Sequence, residues 1–235
     1  MYAIVLAGGL GLRLRPYTDD KPKGMVEVLK RPILEYQVEW LRRSGINDVV
    51  IACGYRHDAI ERYFGDGRRL GINIDYSVEE KPLGTGGAIK KAFSKGGVRG
   101  TFVVLNGDTI TSINLKDAVG FHRSKGGVAT VVVVPFRSPF GIVEFDDEGF
   151  VRGFREKPEL PHWVNSGIYV LEEEAVKYMP DEGSFEMSVL PRLAEERRLF
   201  AYRASGLWKP IDTYKDLVEA EEELTKALFS SLLGS

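Results

Sequence analysis

Apolar runs and amphipathic segments take turns along this chain, and that alternation narrows its possible folds more than any other feature. Runs rich in Val, Ile, Leu and Phe stand at Tyr2–Ala7, Asp48–Cys53, 72–78, 101–106 and 128–135. They are too continuous for strands with one wet face and read as strands buried on both sides. Between them, 33–44, 59–64, 86–95 and Leu115–Lys125 carry helical period, with Leu34, Val38 and Leu41 on one stripe. Strand alternating with helix predicts an α/β fold, Rossmann-like, with a mostly parallel sheet flanked by helices on both faces. Past Val134 the pattern changes. Segments 141–145 and 150–154 flank the polar run Asp146-Asp147-Glu148-Gly149, as two strands joined by a turn do, and begin a small antiparallel portion. A further strand is expected at 163–171 and a helix at 185–197. The tail Tyr214–Leu233 places Leu217, Ala220, Leu224 and Leu228 at helical spacing, which predicts a closing helix packed on the body.

At 235 residues, with no internal repeat, low-complexity stretch or linker, the chain reads as a single domain. No run of hexapeptide repeats follows residue 214, so no C-terminal β-helix is expected. Thirty-two basic against 34 acidic residues give a net charge of -2, which argues against a broad grip on nucleic acid or an anionic membrane. Any anionic ligand must therefore be held locally. The longest mainly apolar stretch, 128–135, is far short of the roughly 20 residues that span a bilayer, and Met1-Tyr2-Ala3-Ile4 lacks the charged start of a secretory signal. One cysteine, Cys53, forbids an intrachain disulfide and suits a cytoplasmic setting. Because it ends an apolar run, Cys53 reads as a buried structural thiol. His57, His122 and His162 show no metal-ligand spacing and are assigned no role.

The most informative segment follows the first strand, where Leu6-Ala7 lead into Gly8-Gly9-Leu10-Gly11 and then Arg13, Arg15, Lys21 and Lys23. Glycines let backbone N–H groups approach a phosphate, and the cations add compact positive charge beside them. A triphosphate is the natural ligand. Two other glycine loops fail on particular residues. In a dinucleotide fingerprint the third glycine would fall on Leu14, and a Walker loop needs a Gly-Lys pair that occurs nowhere in the chain.

Gly8 to Thr18, followed by Pro22-Lys23-Gly24-Met25, resembles the G-G-x-G-x-R-L-x-P-x-T and P-K-P-M motifs of the sugar-1-phosphate nucleotidyltransferases. Arg13-Leu14-Arg15-Pro16 sets it apart from relatives with R-M-G after the glycines. Gly24 stands in place of the usual proline, which leaves the lysine loop less rigid. Later segments resemble further family motifs in the expected order: Glu79 with Gly84-Thr85, Asn106-Gly107-Asp108, Phe140-Gly141, Glu156-Lys157-Pro158, Asn165-Ser166-Gly167 and Trp208 to Thr213. The resemblance implies that Leu6, Ala7, Gly8, Gly9, Gly11, Arg13, Lys23, Glu79, Gly84 and Thr85 bind the nucleotide. It implies that Asn106, Gly141, Glu156, Lys157 and Asn165 bind the sugar phosphate, and that Asp108 and Asp212 ligate Mg²⁺. Asp108 also ends a buried parallel strand, where ligands bind in open α/β sheets. Most of the family would place the second aspartate on Pro210. This chain instead resembles a W-x-x-M/I-D-T variant that moves it to Asp212, which equally could cap the closing helix.

What the resemblance implies overall is an enzyme that joins an NTP to a sugar 1-phosphate, with Arg13 and Lys23 catalytic. The nucleotide part would span about 1–134, the sugar-phosphate part about 135–213 and the closing helix 214–233. A carboxylate at Glu79 only accepts hydrogen bonds, which suits the two donors of a guanine edge and makes GTP the preferred nucleotide, with a mannose- or manno-heptose-type acceptor. Uridylyl, thymidylyl or cytidylyl transfer to glucose 1-phosphate or an amino-sugar 1-phosphate is the alternative. A catalytically silent nucleotide-sugar-binding subunit is a second, and transfer to a non-sugar phosphate a third. Neither nucleic acid nor membrane is expected as a partner; homo-oligomerisation is compatible with the sequence but not specified by it.

Overall fold

A computed structural model describes residues 1–233, with side chains through residue 227, so the Leu228 side chain of the expected closing stripe lies outside the described residues. In chain order the elements are β1 (Tyr2–Ala7), β2 (Glu27–Val28), β3 (Arg31–Pro32), α1 (Ile33–Arg43), β4 (Asp48–Cys53), α2 (His57–Phe64), β5 (Asn73–Val78) and α3 (Gly84–Lys95). There follow β6 (Phe102–Asn106), β7 (Thr109–Thr111), α4 (Leu115–Lys125), β8 (Ala129–Arg137), β9 (Ile142–Phe145), β10 (Val151–Arg155) and β11 (Glu159–Leu171). The chain closes with α5 (Phe185–Glu195), β12 (Leu199–Arg203), β13 (Trp208–Pro210) and α6 (Tyr214–Leu233).

Seven strands form one sheet in the order β12-β8-β11-β6-β1-β4-β5. The pairs β12–β8, β6–β1, β1–β4 and β4–β5 are parallel, while β11 runs antiparallel to both of its neighbours. Mostly parallel is thus the right description, with one reversed strand, β11, third from the β12 edge. Alternate residues of each strand feed opposite faces. Ala3, Val5, Val103 and Leu105 pack under α1, α2 and α4 through Leu34, Val38, Ile60 and Leu115. Ile4, Val50, Val104 and Tyr169 pack against α3 and α5 through Ile89, Phe93, Phe185 and Leu193. Each Val, Leu, Ile or Phe among them contributes about 1.5–3 kcal/mol on burial, and this explains why these central runs had to be apolar on both faces. β8 runs across residue 134, and β11 and β12 complete the sheet begun by β1, so both halves of the chain share one core.

A third apolar cluster is smaller and bears directly on the site. Leu14, Val26, Val28, Ile33, Ile110, Ile211, Leu217 and Ala220 join the loop after β1, the β2–β3 hairpin and α6. The hairpin of β9 and β10 stands outside the main sheet, tied by Arg155–Glu144 and Arg152–Asp146 ion pairs, with Phe145, Phe150 and Phe154 exposed. α5 ends at Glu195 rather than Arg197, because Arg197 takes the left-handed conformation (φ 56°) that terminates helices. Cys53 is fully buried, and burial pushes its thiol up to about 12, so it remains protonated and unreactive. Among the described residues no helix is long and apolar enough to cross a membrane.

β2 and β3 are joined by two residues, Leu29 and Lys30, both with positive φ (48° and 63°). Such a turn favours glycine at its second position. Lys30 is exposed, so Lys30→Gly is expected to raise stability by about 0.5–1 kcal/mol through relief of left-handed strain. A denaturant midpoint that falls instead would show that the lysine stem is held by contacts worth more than that strain.

Candidate active site

A cavity of about 350 Å³ opens at the carboxyl ends of the adjacent parallel strands β1 and β6. Its walls bring together Leu6, Ala7, Gly8, Gly9, Lys23, Glu79, Gly84, Thr85, Asn106 and Asp108. This is where parallel sheets leave room for ligands, since the strand ends and the loops after them diverge. Glu79 extends β5, and its N–H donates to the Cys53 carbonyl at 2.7 Å. One of its oxygens, Oε2, accepts from the Leu83 N–H at 3.0 Å; the other faces Gly8, where a Cβ would come within 3.1 Å of it. Any larger residue at position 8 would press that carboxylate away from β1 by a few tenths of an ångström. Gly11 and Arg13 lie beyond the cavity lining. Gly11 adopts φ 63° to start the short 3₁₀ turn Leu12–Leu14, and its carbonyl accepts from the Thr18 hydroxyl at 2.9 Å. Leu14, the residue that breaks the dinucleotide pattern, is 1% exposed and anchors the loop in the third cluster.

The charged end of the cavity is assembled by β7 and β13, which pair antiparallel with Trp208 opposite Thr111 and Pro210 opposite Thr109. The Ile211 N–H then donates to the Asp108 carbonyl at 2.9 Å, so the two aspartates distant in sequence meet. Lys23 stands between them. Its Nζ donates to Asp108 Oδ2 at 2.6 Å and to Asp212 Oδ1, and Arg13 Nη2 reaches the same Asp212 oxygen at 3.1 Å. Asp212 is not the cap of α6. That task falls to Thr213 and Asp216, whose side chains bond reciprocally to backbone N–H groups in a capping box. Two carboxylates fit a hard divalent cation that completes its shell with water and phosphate oxygens. Among the described residues no group of three or more metal-ligating side chains exists that would suit a fully protein-bound ion. Of the other loop cations, Arg15 turns to Asp19 at 3.3 Å on the surface.

Gly24 does not loosen the lysine loop. It is buried within the 3₁₀ turn Lys23–Met25, and a Cβ there would come within 2.5 Å of Leu34 Cγ. A proline ring would meet the same obstacle, so glycine is what lets this loop lie flat on α1.

The sugar-side candidates gather around β11 and the β9–β10 hairpin. Glu156 lies against Gly141, where a Cβ would be 2.9 Å from Oε2. Lys157 is exposed and takes a left-handed backbone (φ 44°), the sort of strain that accumulates at ligand sites. Asn165 is exposed but tethered: its amide donates to the Tyr169 hydroxyl at 2.7 Å and its side-chain carbonyl accepts from the Gly167 N–H at 2.9 Å. Asn106 sits directly against Gly167, so the cavity and β11 are in contact.

Two polar devices escape sequence reasoning. Gln37, the chain's only glutamine, lies on the buried stripe of α1 and donates both amide hydrogens, to the Asn106 carbonyl at 2.6 Å and the Thr109 carbonyl at 2.8 Å. It clamps the loop that carries Asp108. A polar residue among Leu34, Val38 and Leu41 was the available signal. The second device is a chain of hydrogen bonds centred on Glu186. Its carboxylate accepts from Thr85 Oγ1 at 2.5 Å, Ser184 Oγ at 2.9 Å and the Tyr169 hydroxyl at 3.1 Å. Burial and the Glu186 charge push the Tyr169 phenol up, so it stays a donor. Glu186 thereby ties the start of α3 to the strand that bears Asn165; nothing in its local sequence marks that role.

Residues 2–227 match the nucleotidyl transferase family, and the chain belongs to it. It is 36% identical over 226 residues to the mannose-1-phosphate guanylyltransferase catalytic subunit beta of Drosophila pseudoobscura pseudoobscura, covering 92% of this chain and 60% of that protein. It is also 36% identical over 215 residues to the UTP–glucose-1-phosphate uridylyltransferase of Synechocystis, covering 83% of this chain and 55% of that one. The chain thus spans less than two thirds of the length of these curated relatives. Among solved structures, HddC from Yersinia pseudotuberculosis complexed with GMP-PN superposes with a TM-score of 0.72 at 27% identity, over 95% of this chain and 99% of that one.

Replacing Gln37 by leucine keeps the stripe apolar but strips two buried carbonyls of their donor, and is expected to cost about 1–3 kcal/mol of stability. Chemical denaturation of the variant checks this, and a loss below a few tenths would mean the loop is held without the clamp.

Proposed function

We propose that the protein transfers a nucleotidyl group from a nucleoside triphosphate to a sugar 1-phosphate with release of pyrophosphate, preferring GTP and a mannose- or manno-heptose-type acceptor. One observation supports it above the rest: a single cavity has an acceptor-only carboxylate, Glu79, on one wall and the Lys23–Asp108 pair on another, with Arg13 and Asp212 adjoining. A purine edge that donates twice suits the first, and a polyphosphate with a divalent ion suits the second.

In the proposed reaction a sugar phosphate oxygen forms a bond to the α-phosphorus while the bond to the pyrophosphate oxygen breaks in line. That oxygen is already ionised at neutral pH, so no general base is needed and the protein's task is positioning and charge. Lys23 and Arg13 would carry the negative charge of the triphosphate. Lys157 would hold the attacking phosphate, and Glu156 beside Gly141 would accept from a ring hydroxyl. Asn106, next to Gly167, would orient the sugar phosphate between the two halves, and Asn165 would act through the Gly167 turn it secures. Asp108 and Asp212 would hold Mg²⁺, which when bound supplies charge neutralisation on the phosphates. The cytoplasm, where nucleoside triphosphates are available, is the compartment that fits this reading.

Uridylyl transfer is the second reading, and it too has an observation behind it. Glu79 Oε2 already accepts from Leu83 N–H, so a base that offers one donor, such as uracil N3–H, could meet the other oxygen alone. A matrix of four NTPs against a panel of sugar 1-phosphates, scored by pyrophosphate release, separates these. GTP with a manno-configured acceptor is expected to give the highest kcat/KM. No release from any pair would replace the enzyme by a silent binding subunit.

Two variants sharpen the test. Glu79→Gln places a donor amide at the base wall and is expected to lower the GTP-to-UTP ratio of kcat/KM by about tenfold or more, as expected when a buried donor faces a donor. An unchanged ratio would remove Glu79 from base reading. Arg13→Ala is expected to lower kcat by about tenfold or more at saturating substrate, the scale of losing one charge-stabilising donor. A wild-type kcat would show that Lys23 suffices.

A further inference from the structure

We infer that Lys23 keeps the Asp108–Asp212 pair closed to free divalent cations, so that metal enters this site only together with a polyphosphate. The inference rests on the proposal that the cavity takes a nucleoside triphosphate, and deepens it.

Lys23 is a side chain of the cavity wall, 14% exposed, whose ammonium group donates to both carboxylates that would hold the metal. Arg13 adds a guanidinium contact to Asp212. The four charges cancel, and a neutral quartet offers little to a strongly hydrated divalent ion, whose binding depends on unneutralised oxygen ligands. For that ion to enter alone, the ammonium would have to leave both partners with nothing to replace them, and stripping a half-buried charge of its partners is costly. The backbone cannot yield instead. Lys23 opens a 3₁₀ turn whose next residue, Gly24, is packed against Leu34, and Met25 and Val26 lie in the apolar clusters on either side. For Lys23, movement is therefore left to its side-chain torsions.

A polyphosphate alters this balance because it supplies oxygens to Lys23 and Arg13 inside the cavity they already border. The aspartates are then released with their full negative charge and can take the metal. Metal and nucleotide therefore strengthen each other's binding by the same factor, as linkage requires.

The test titrates Mn²⁺ alone into the full chain and follows the free aquo ion by electron paramagnetic resonance. Lys23→Met and Lys23→Gln are each expected to bind Mn²⁺ about tenfold tighter than the wild type, within the usual range of site coupling, and Asp212→Asn in the Lys23→Met background to abolish the gain. Equal Mn²⁺ affinity in the wild type and both lysine variants would overturn the inference. So would a gain that survives Asp212→Asn. A measurement on the wild type alone guards against misfolded variants: calorimetry of GTP with and without Mn²⁺ is expected to show tighter nucleotide binding with the metal, and equal affinities would overturn the inference equally. A failed pyrophosphate assay beside intact Mn²⁺ exclusion would remove the reaction while leaving the closed site standing.

Discussion

The short ladder between β7 and β13 is the constraint on which the rest of the site depends. Three residue pairs and the Ile211 N–H to Asp108 carbonyl bond bring the end of β6 to the entrance of α6. Without that register Asp108 would face the cavity alone, and Lys23 would have one carboxylate instead of two. A ladder this short has little stability of its own. Ile110 and Ile211 lend it the third apolar cluster, in which Leu14 and Val26 also pack. Aspartates, lysine and glycine loop are therefore fixed by the same handful of buried side chains, and the apolar contacts set the charge geometry.

That cluster explains a division of labour between the three glycines after β1. Gly8 and Gly9 line the cavity, while Gly11 makes the turn that sends Leu14 back into the protein. In a dinucleotide-binding loop the equivalent of Leu14 must be small so that a helix can start close to the strand. Here a 3₁₀ turn starts instead, and a large anchoring side chain at that point makes a rigid loop without a helix. Arg13 projects outward beside this anchor, 73% exposed on its side chain, and so can reach a ligand while its backbone stays fixed.

How far the sequence discloses such a molecule depends on how local the cause is. The strands β1, β4, β6 and β8 are legible because burial on both faces demands unbroken apolar runs, and the helices α1 and α4 because one stripe must face the sheet. β5 is not buried on both sides as its run suggests: it is the edge strand, with Asn73 and Asp75 exposed and Ile74 and Ser77 buried. β12 is not legible: Leu199 to Arg203 alternates in burial at the sheet edge and borrows its pairing from β8. β7 and β13 are shorter still, and Trp208-Lys209-Pro210 has no strand character until Thr111, Ile110 and Thr109 lie opposite. The residue types at the phosphate end could be read because glycines and cations so close together have few other uses. Which cation does what could not. Arg15 and Lys23 look alike in sequence, yet one bonds to Asp19 on the surface and the other sits between two aspartates. Glu186 is out of reach for the same reason, since its partners Thr85 and Tyr169 come from other elements.

On the proposed function, a protein of net charge -2 that is to bind two polyanions faces a selectivity problem as much as an affinity problem. Bare lysines and arginines in a cavity would attract any phosphate. Pairing them with aspartates removes that general attraction, and it sets a condition on the ligand: phosphate oxygens must replace the carboxylates on the cations, and a metal must replace the cations on the carboxylates. A monophosphate without metal meets only half of this and leaves an aspartate pair unneutralised. A metal-bound triphosphate meets both halves at once, with every charge partnered at the end. Discrimination of this kind works by penalising the wrong occupant rather than by adding contacts to the right one.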